Sequence, residues 1–566
     1  MTDILTDPVP HKRETSNFSG PTRRYAGRLW AFLSLLVAAC VVMPFAALAL
    51  QAVQGSAGLW PHLVTTVLPV ALRDTFTLLV GVGLLTMIIG TGTAWLVTAY
   101  DFPGRRLLEW TLLLPLAMPT YIIAYAYLDI LHPIGPAQAF VRDLLGYDSP
   151  RQFRLPDVRS MWGCIVLFSF VLYPYVYITT RAMFLMQGAN LLEAARTLGV
   201  SRRALFRRIA LPLARPAIAV GVALALMEAL NDVGAAEFLG VRTMTVTVYT
   251  TWITRSDLPG AAQIALAMLV LVVGLVTLER VARQRQRYTL SAQRARLMEP
   301  RRLGALQGVA TLFIGFLPVL LGFMAPFAYL VNEAVKRYQF SGISDRLADA
   351  AFSTLGYSAL ATLIVMLAGI IAAYALRMHP SRNGNWIYRL STIGYAAPGT
   401  VVALAVLIPL AGFDRFLDQS AREWLGVSTG LIMMGSGAAL VFAYSVRFLT
   451  IAAGSVDAGL SRIPLSLDHA SRSLGQGAFG TLRKIHLPLS KSALAAAALL
   501  VFVDCVKELP ATLLLRPLNV ETFATQLYGE AARGTYEEAA IAALAIVAVG
   551  ILPVILLART GRRKSQ

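Results

Sequence analysis

Charge is scarce in this chain. Of its 566 residues only 14% are Asp, Glu, Lys or Arg, while 57% are hydrophobic. Soluble chains run near about 25% charged and about 45–50% apolar. The deficit excludes intrinsic disorder, which needs low hydrophobicity, and a soluble nucleic-acid binder, whose basic face sits on a polar surface. No nucleic-acid partner is expected. Cysteine is scarcer still: Cys40, Cys164 and Cys505 are too few for a disulfide framework. His11, His62, His132, His379, His469 and His486 are scattered without metal-ligand spacing. There is no G-x-x-x-x-G-K-[ST] phosphate loop, and no nucleophile–base set stands out. The chain is therefore read as non-catalytic by itself, with no cofactor of its own. Acids are the rarer ionic class, 31 against 50 Lys+Arg, for a net charge of +19.

What is present is long apolar runs. A helix crossing the roughly 30 Å hydrocarbon core needs about 20 mostly apolar residues, and backbone groups in lipid must be satisfied within their own segment. Candidate spans lie near 29–52, 74–99, 108–131, 161–185, 213–235 and 261–279, then near 306–332, 355–376, 386–411, 430–453, 491–515 and 539–558. The fold class is an all-α polytopic membrane protein embedded in a lipid bilayer. Ala47-Leu48-Ala49 has the look of a cleavage site, but the first run is too long for a signal-peptide core and reads as an uncleaved span. An even number of spans puts both termini on one side. With that side cytoplasmic, 35 of the 50 Lys/Arg fall in inside segments, including the stretch 447–491. That is the positive-inside bias, so a multi-pass inner-membrane protein with both termini inside is expected.

The chain repeats itself. Residues 193–212 read EAARTLGVSRRALFRRIALP and residues 469–488 read HASRSLGQGAFGTLRKIHLP. Gly199 maps to Gly475, Ile209 to Ile485 and Pro212 to Pro488; the same register takes Glu228 to Asp504 and Asp232 to Glu508. The spans come in the same order twice, so two parallel six-helix repeats are expected. The division is an N-tail (1–28), repeat 1 (29–283), a basic linker (284–303), repeat 2 (304–559) and a C-tail (560–566).

Both repeated loops join the fourth and fifth spans of their half. Each reads as helix, turn, helix. In the first, Asn190 and Glu193 form a capping-box pattern, Gly199 is a helix stop, and Ser201 can cap the next helix. In the second, Ser466 is the capping candidate and Asp468 supplies negative charge to the first turn. The pattern Glu193-Ala194-Ala195, then Gly199, then Ile209, Leu211 and Pro212 resembles the "EAA" loop of binding-protein-dependent ABC importer permeases. The resemblance covers nearly the whole chain, as two fused permease units. The second loop departs from the signature at His469 and Ser471, yet keeps Ala470, Gly475, Ile485, Leu487 and Pro488. The resemblance implies that both loops dock into two copies of a cytoplasmic ABC ATPase, that ATP and Mg are bound there and not on this chain, and that a soluble binding protein delivers the substrate.

Ionisable groups deep in a bilayer cost on the order of 2.5–3.5 kcal/mol each on insertion scales, and so usually face a cavity or a partner. Glu228 and Asp232 are four apart and expected on one helix face, as are Asp504 and Glu508. They either line a substrate path or form structural pairs near the span ends, with Lys507 beside Glu508 and Asn231 bonding locally. Segments 115–127, 230–252 and 507–528 resemble those of ferric-iron permeases. Tyr121, Tyr125 and Tyr173, with Tyr127, Tyr175 and Tyr177, are then either weak candidates for iron ligation, since phenolate ligates ferric iron, or an interfacial aromatic belt. Thiamine, polyamine and sulfate permeases are alternatives within the class. A six-plus-six secondary transporter is the rival outside it, suggested by Asp101–Arg106, though Phe102 and Val97 depart from that pattern.

Overall fold

The computed structural model describes residues 21–56, 58–186, 201–284, 300–342, 344–378 and 380–562. Among these, 11 helices are long and apolar enough to cross a membrane. A further pair, Arg105–Ala117 and Thr120–Ile130, is bent by 92° at a short break and makes up to 12. In the first half the spans are Pro21–Gln54, Leu68–Ala99, the broken pair ending in Thr120–Ile130, Met161–Met186, Leu211–Asn231 and Leu258–Gln284. In the second half spans 7 to 12 are Ala305–Phe340, Asp345–Met378, Gly399–Leu425, Ala438–Ser461, Leu487–Val506 and Tyr536–Arg562.

Proline shapes these helices in a repeated way. Wide π turns occur at Leu63–Val67, Phe206–Ala210, Leu320–Met324 and Leu482–His486. Each runs straight into a residue followed by proline: Pro69, Pro212, Pro326 and Pro488. Proline has no N–H for the carbonyl four residues back, so the ladder widens there. Prolines also break the third span of each half. Met118 and Ala397, each before a proline, are extended, as pre-proline sterics demand. The expected span 108–131 is matched by the broken pair Arg105–Ala117 and Thr120–Ile130; the expected span 386–411 is corrected, since the short helix Arg382–Ser391 precedes its break and the membrane helix starts at Gly399. Span 10 lies at Ala438–Ser461, later than expected. Spans 5 and 11 stop at Asn231 and Val506, ahead of the short helices Gly234–Phe238 and Pro510–Leu515.

Within each half the second and fourth spans cross closely on a glycine. A Cβ on Gly90 would sit 2.6 Å from that of Val176, and one on Gly369 would sit 2.8 Å from that of Ala452. Small residues at crossings are the usual means of helix association in lipid. The halves also interlock. The first span packs on spans 8 and 9 of the other half, and span 7 packs back near the third span of the first. Phe32 and Phe313 are exposed on these outer helices, as lipid-facing side chains are. Most of the linker, residues 285–299, lies outside the described residues; Arg301–Arg302, at its end, pairs in parallel with Tyr100–Asp101.

Candidate functional site

The breaks in spans 3, 5, 9 and 11 meet at the centre of the molecule. They surround a cavity of about 150 Å³, lined by residues of both halves. Glu228, Asp232, Asp504 and Glu508 all line it, as do Arg447 and Lys507. The acids do not share one helix face. Asp232 lies past the end of its helix in an extended conformation, and Glu508 lies past Val506.

Asp232 and Glu508 have matching structural duties. Asp232 Oδ1 accepts from the N–H groups of Ala235 at 2.7 Å and Ala236 at 3.3 Å. The carboxylate of Glu508 accepts from those of Ala511 at 3.0 Å and Thr512 at 3.1 Å. Each acid therefore satisfies orphan donors at the start of a short helix. Their remaining partners differ. Asp232 accepts from the Thr120 hydroxyl, whereas Glu508 pairs with Arg447 at 2.9 Å. Gly399 stands where the first half has Thr120. A Cβ there would fall 2.0 Å from Arg447 Nη1 and 2.6 Å from Glu508 Oε1, so glycine makes room for the guanidinium.

The second pair of acids differs more. Asp504 pairs with Lys507 at 2.8 Å. Glu228 has Asn231 in the place of Lys507, and no ion pair of its own among the described residues. The expected local partnerships are corrected: Lys507 serves Asp504 and not Glu508, and Asn231 Oδ1 accepts from the Gly399 N–H of the other half at 2.8 Å. The phenols of Tyr175 and Tyr395 face the Glu228 carboxyl.

Tyr121, Tyr125 and Tyr173 are buried in the protein, which contradicts an interfacial belt. The Tyr121 hydroxyl donates to the Lys507 carbonyl at 3.2 Å, and that of Tyr125 to the Tyr536 carbonyl. Both are bonds across the halves, to backbone, and neither joins a ligand cluster. Tyr173 also lies in the core. Among the described residues no group of three His, Cys, Asp or Glu is placed to hold a metal. Further cross-links between the halves run from Tyr329 to Asp129 at 2.7 Å and from Tyr528 to Glu237 at 2.6 Å.

Of the first repeated loop, Glu193, Ala194, Ala195 and Gly199 lie outside the described residues, as does Asn190. Ser201 Oγ accepts from the Ala204 N–H at 3.4 Å, a long bond at the expected capping position. Ile209 sits in the π turn, and Leu211 and Pro212 open span 5. The second loop is described throughout. Its first helix is Leu465–Ser473, begun at Pro464, so Ser466 lies inside it and does not cap it. Gly475 ends the turn with φ +76, a conformation that suits glycine. Ile485 lies in the π turn before Leu487 and Pro488. His469 and Ala470 are exposed, as are the apolar side chains of Leu465 (62%), Leu474 (79%) and Phe479 (66%).

Asp468 holds this loop to the body. Its carboxylate meets Arg377 at 3.0 Å and His486 Nε2 at 2.6 Å, all three largely buried. Arg377 also donates to the carbonyls of Leu460 at 2.5 Å and Ile463 at 3.0 Å. One cluster thus ties the loop to spans 8, 10 and 11. Sequence reasoning misses this anchor. It also misses Arg447, which charge counting places with the inside basic residues. A lone arginine in an apolar span, opposite Val171 in the repeat, is the available signal, since such a cation needs an acid.

Among the described residues, eleven membrane-length helices and one broken pair, in two matched halves around a polar cavity, define a repeated membrane permease. The family described as the binding-protein-dependent transport system inner membrane component matches residues 86–288 and 365–564, once in each half. The chain belongs to that family. It is similar to an Fe(3+)-transport system permease protein of Haemophilus influenzae, 24% identical over 86% of this chain and 89% of that protein. It is also similar to a sulfate transport system permease of Salmonella typhimurium, 29% identical over 36% of this chain and 71% of that one. A molybdenum transport system permease of Escherichia coli is 32% identical over 36% of this chain and 89% of its own length. Family membership sets aside the secondary-transporter rival.

Proposed function

We propose that the chain is the membrane subunit of an ATP-driven importer whose cargo is ferric iron. The observation that carries the cargo is the charge of the central cavity. Four carboxyl groups face two cations there, which attracts a cation and repels oxyanions such as sulfate or molybdate. The iron permease among the relatives, matched over most of its length, supports the same choice. Polyamines and thiamine are cations too and form the second reading.

In this proposal a soluble binding protein releases cargo into the cavity from the outer face. Two copies of an ABC ATPase sit at the cytoplasmic face with both termini, holding ATP and Mg, and this chain carries no cofactor. Their grooves take the loops at 190–212 and 466–488, the second through Leu465, Leu474 and Phe479. ATP favours one arrangement of the halves over the other, and that difference in affinity drives the cycle. Bonds between the halves, such as Asn231 to Gly399 and Tyr121 to Lys507, are remade as they rock.

The test is reconstitution in proteoliposomes with the ATPase and binding protein. ATP-dependent uptake of ferric iron, with sulfate, molybdate, thiamine and spermidine as the other arms, is the expected result. Uptake of an oxyanion instead contradicts the proposal. A bulky residue at Gly199 is expected to leave ATP hydrolysis running without uptake.

A further inference from the structure

Of the four acids in the central cavity, Glu228 alone makes neither an ion pair nor a bond to backbone donors among the described residues. Asp504 has Lys507, Glu508 has Arg447, and Asp232 is spent on a hydroxyl and two backbone donors. Glu228 has a different setting. The repeat puts Asn231 where Lys507 stands, so its own half supplies no cation, and only Lys507 and Arg447 of the other half act on its charge across the cavity.

The same comparison accounts for its neighbours. Tyr175 lies on span 4, where the other half has Ile451. Tyr395 lies in the short turn Gly394–Ala396 before span 9, where the matching turn has Leu116. Both phenols line the same cavity as Glu228, and neither has a phenolic counterpart around Asp504. Glu228, Asn231, Tyr395 and Arg447 also line a second, smaller cavity beside the first. Glu228 therefore stands at the wall between two spaces, not at a dead end.

A buried carboxylate with no ion pair of its own is costly, and a proton or a further cation relieves that cost. Carboxylate and phenol oxygens are hard donors, and hard cations prefer oxygen ligands. We propose that Glu228, Tyr175 and Tyr395 form a transit site for a hard, highly charged cation within the path. The inference rests on reading the cavity as a cation path. Glu228 and Tyr175 come from the first half and Tyr395 from the second. The site is therefore whole only while the halves are apposed as here. Parting of the halves removes one phenol from the set, which weakens the site and releases the cation. Asn231 contributes by holding the turn: its bond to the Gly399 N–H fixes the start of span 9 four residues beyond Tyr395.

The test uses the full complex of permease, ATPase and binding protein in proteoliposomes. The probes are ferric iron and gallium(III), which has the same charge but is not reduced. Glu228→Gln is expected to lower uptake of both by about tenfold or more, the scale on which a lost oxygen group near a metal acts. Glu228→Asp is expected to recover part of the loss. Tyr395→Phe removes only an oxygen and serves if Glu228→Gln does not assemble; it is expected to raise the concentration of loaded binding protein needed for half-maximal uptake. Wild-type uptake of both metals by Glu228→Gln and by Tyr395→Phe, in complexes that co-purify with the ATPase, overturns the site. A wild-type complex that moves neither metal overturns the cation path on which the site rests.

Discussion

The two halves carry one backbone plan and two chemistries. At the loop end of the first half, Trp95 packs on Phe206 at 4.9 Å and on Phe184 at 5.3 Å. Tyr374 takes the place of Trp95 in the second half; its hydroxyl donates to the Ala478 carbonyl at 2.7 Å and its ring meets His486 at 5.5 Å. Thr98 becomes Arg377, and the sequence opposite Asp468 and His486 reads Leu192 and Ala210. Among the described residues, the flank of the first loop has aromatic packing beside the partly exposed ion pairs of Glu109 with Arg105 and Arg181, whereas the second loop is tied down by a buried charge cluster. The cavity repeats the contrast: both of its fixed cations come from the second half. A pair of identical subunits is bound by symmetry to present the same residues twice. Fusion into one chain lifts that constraint, and here the second half supplies both cations of the cavity.

The contrast is broken most severely at Arg447. Arg447→Met leaves Glu508 buried without its cation, which costs on the order of 3–5 kcal/mol. In the first half the acid equivalent to Glu508 has no arginine to lose, and Asp232→Asn, which keeps a polar group at the helix start, is expected to cost about 1–3 kcal/mol. Thermal unfolding in detergent measures both, and the double variant Arg447→Met with Glu508→Gln is expected to be more stable than Arg447→Met alone. Next in size is the loop. Asp468→Asn loosens the tie to Arg377 and His486, and is expected to raise the ATP hydrolysed per substrate imported by about fivefold, a typical coupling energy. Gly399→Ala sharpens the comparison at the breaks. It drives a methyl against Arg447 and is expected to destabilise by about 1–3 kcal/mol, whereas Thr120→Gly loses one hydrogen bond, about 1 kcal/mol. The smallest effect is expected for Tyr528→Phe, about 0.5–1.5 kcal/mol from the bond to Glu237.

Much of this architecture is legible in the sequence. Apolar runs are long enough to declare themselves, and the loops repeat closely enough to fix two parallel halves. The positions of Glu228, Asp232, Asp504 and Glu508 in one cavity follow from their register. Their partners do not. Asn231 reaches Gly399, and Arg447 reaches Glu508, across distances in the chain that only the packing of helices settles. The broken spans escape sequence reading for a related reason. Residues 108–131 and 386–411 are mostly apolar, and hydropathy counts oil without registering that a proline at 119 or 398 ends the ladder. The tyrosines mislead because amphipathic side chains near span ends usually mark a lipid boundary, whereas here they lie inside the protein, and those of Tyr121 and Tyr125 hold the halves together.

The unequal distribution of fixed cations is tested most directly by giving Glu228 the counter-ion that Asp504 already has. Asn231→Lys places an ammonium where Lys507 stands in the other half, and Asn231→Ala removes the bond to Gly399 without adding charge. Ferric-iron uptake by the reconstituted complex is the measurement. Near-complete loss with lysine and a much milder loss with alanine is the expected result. Equal uptake by both variants contradicts the idea that an unmatched carboxylate at Glu228 serves the cation.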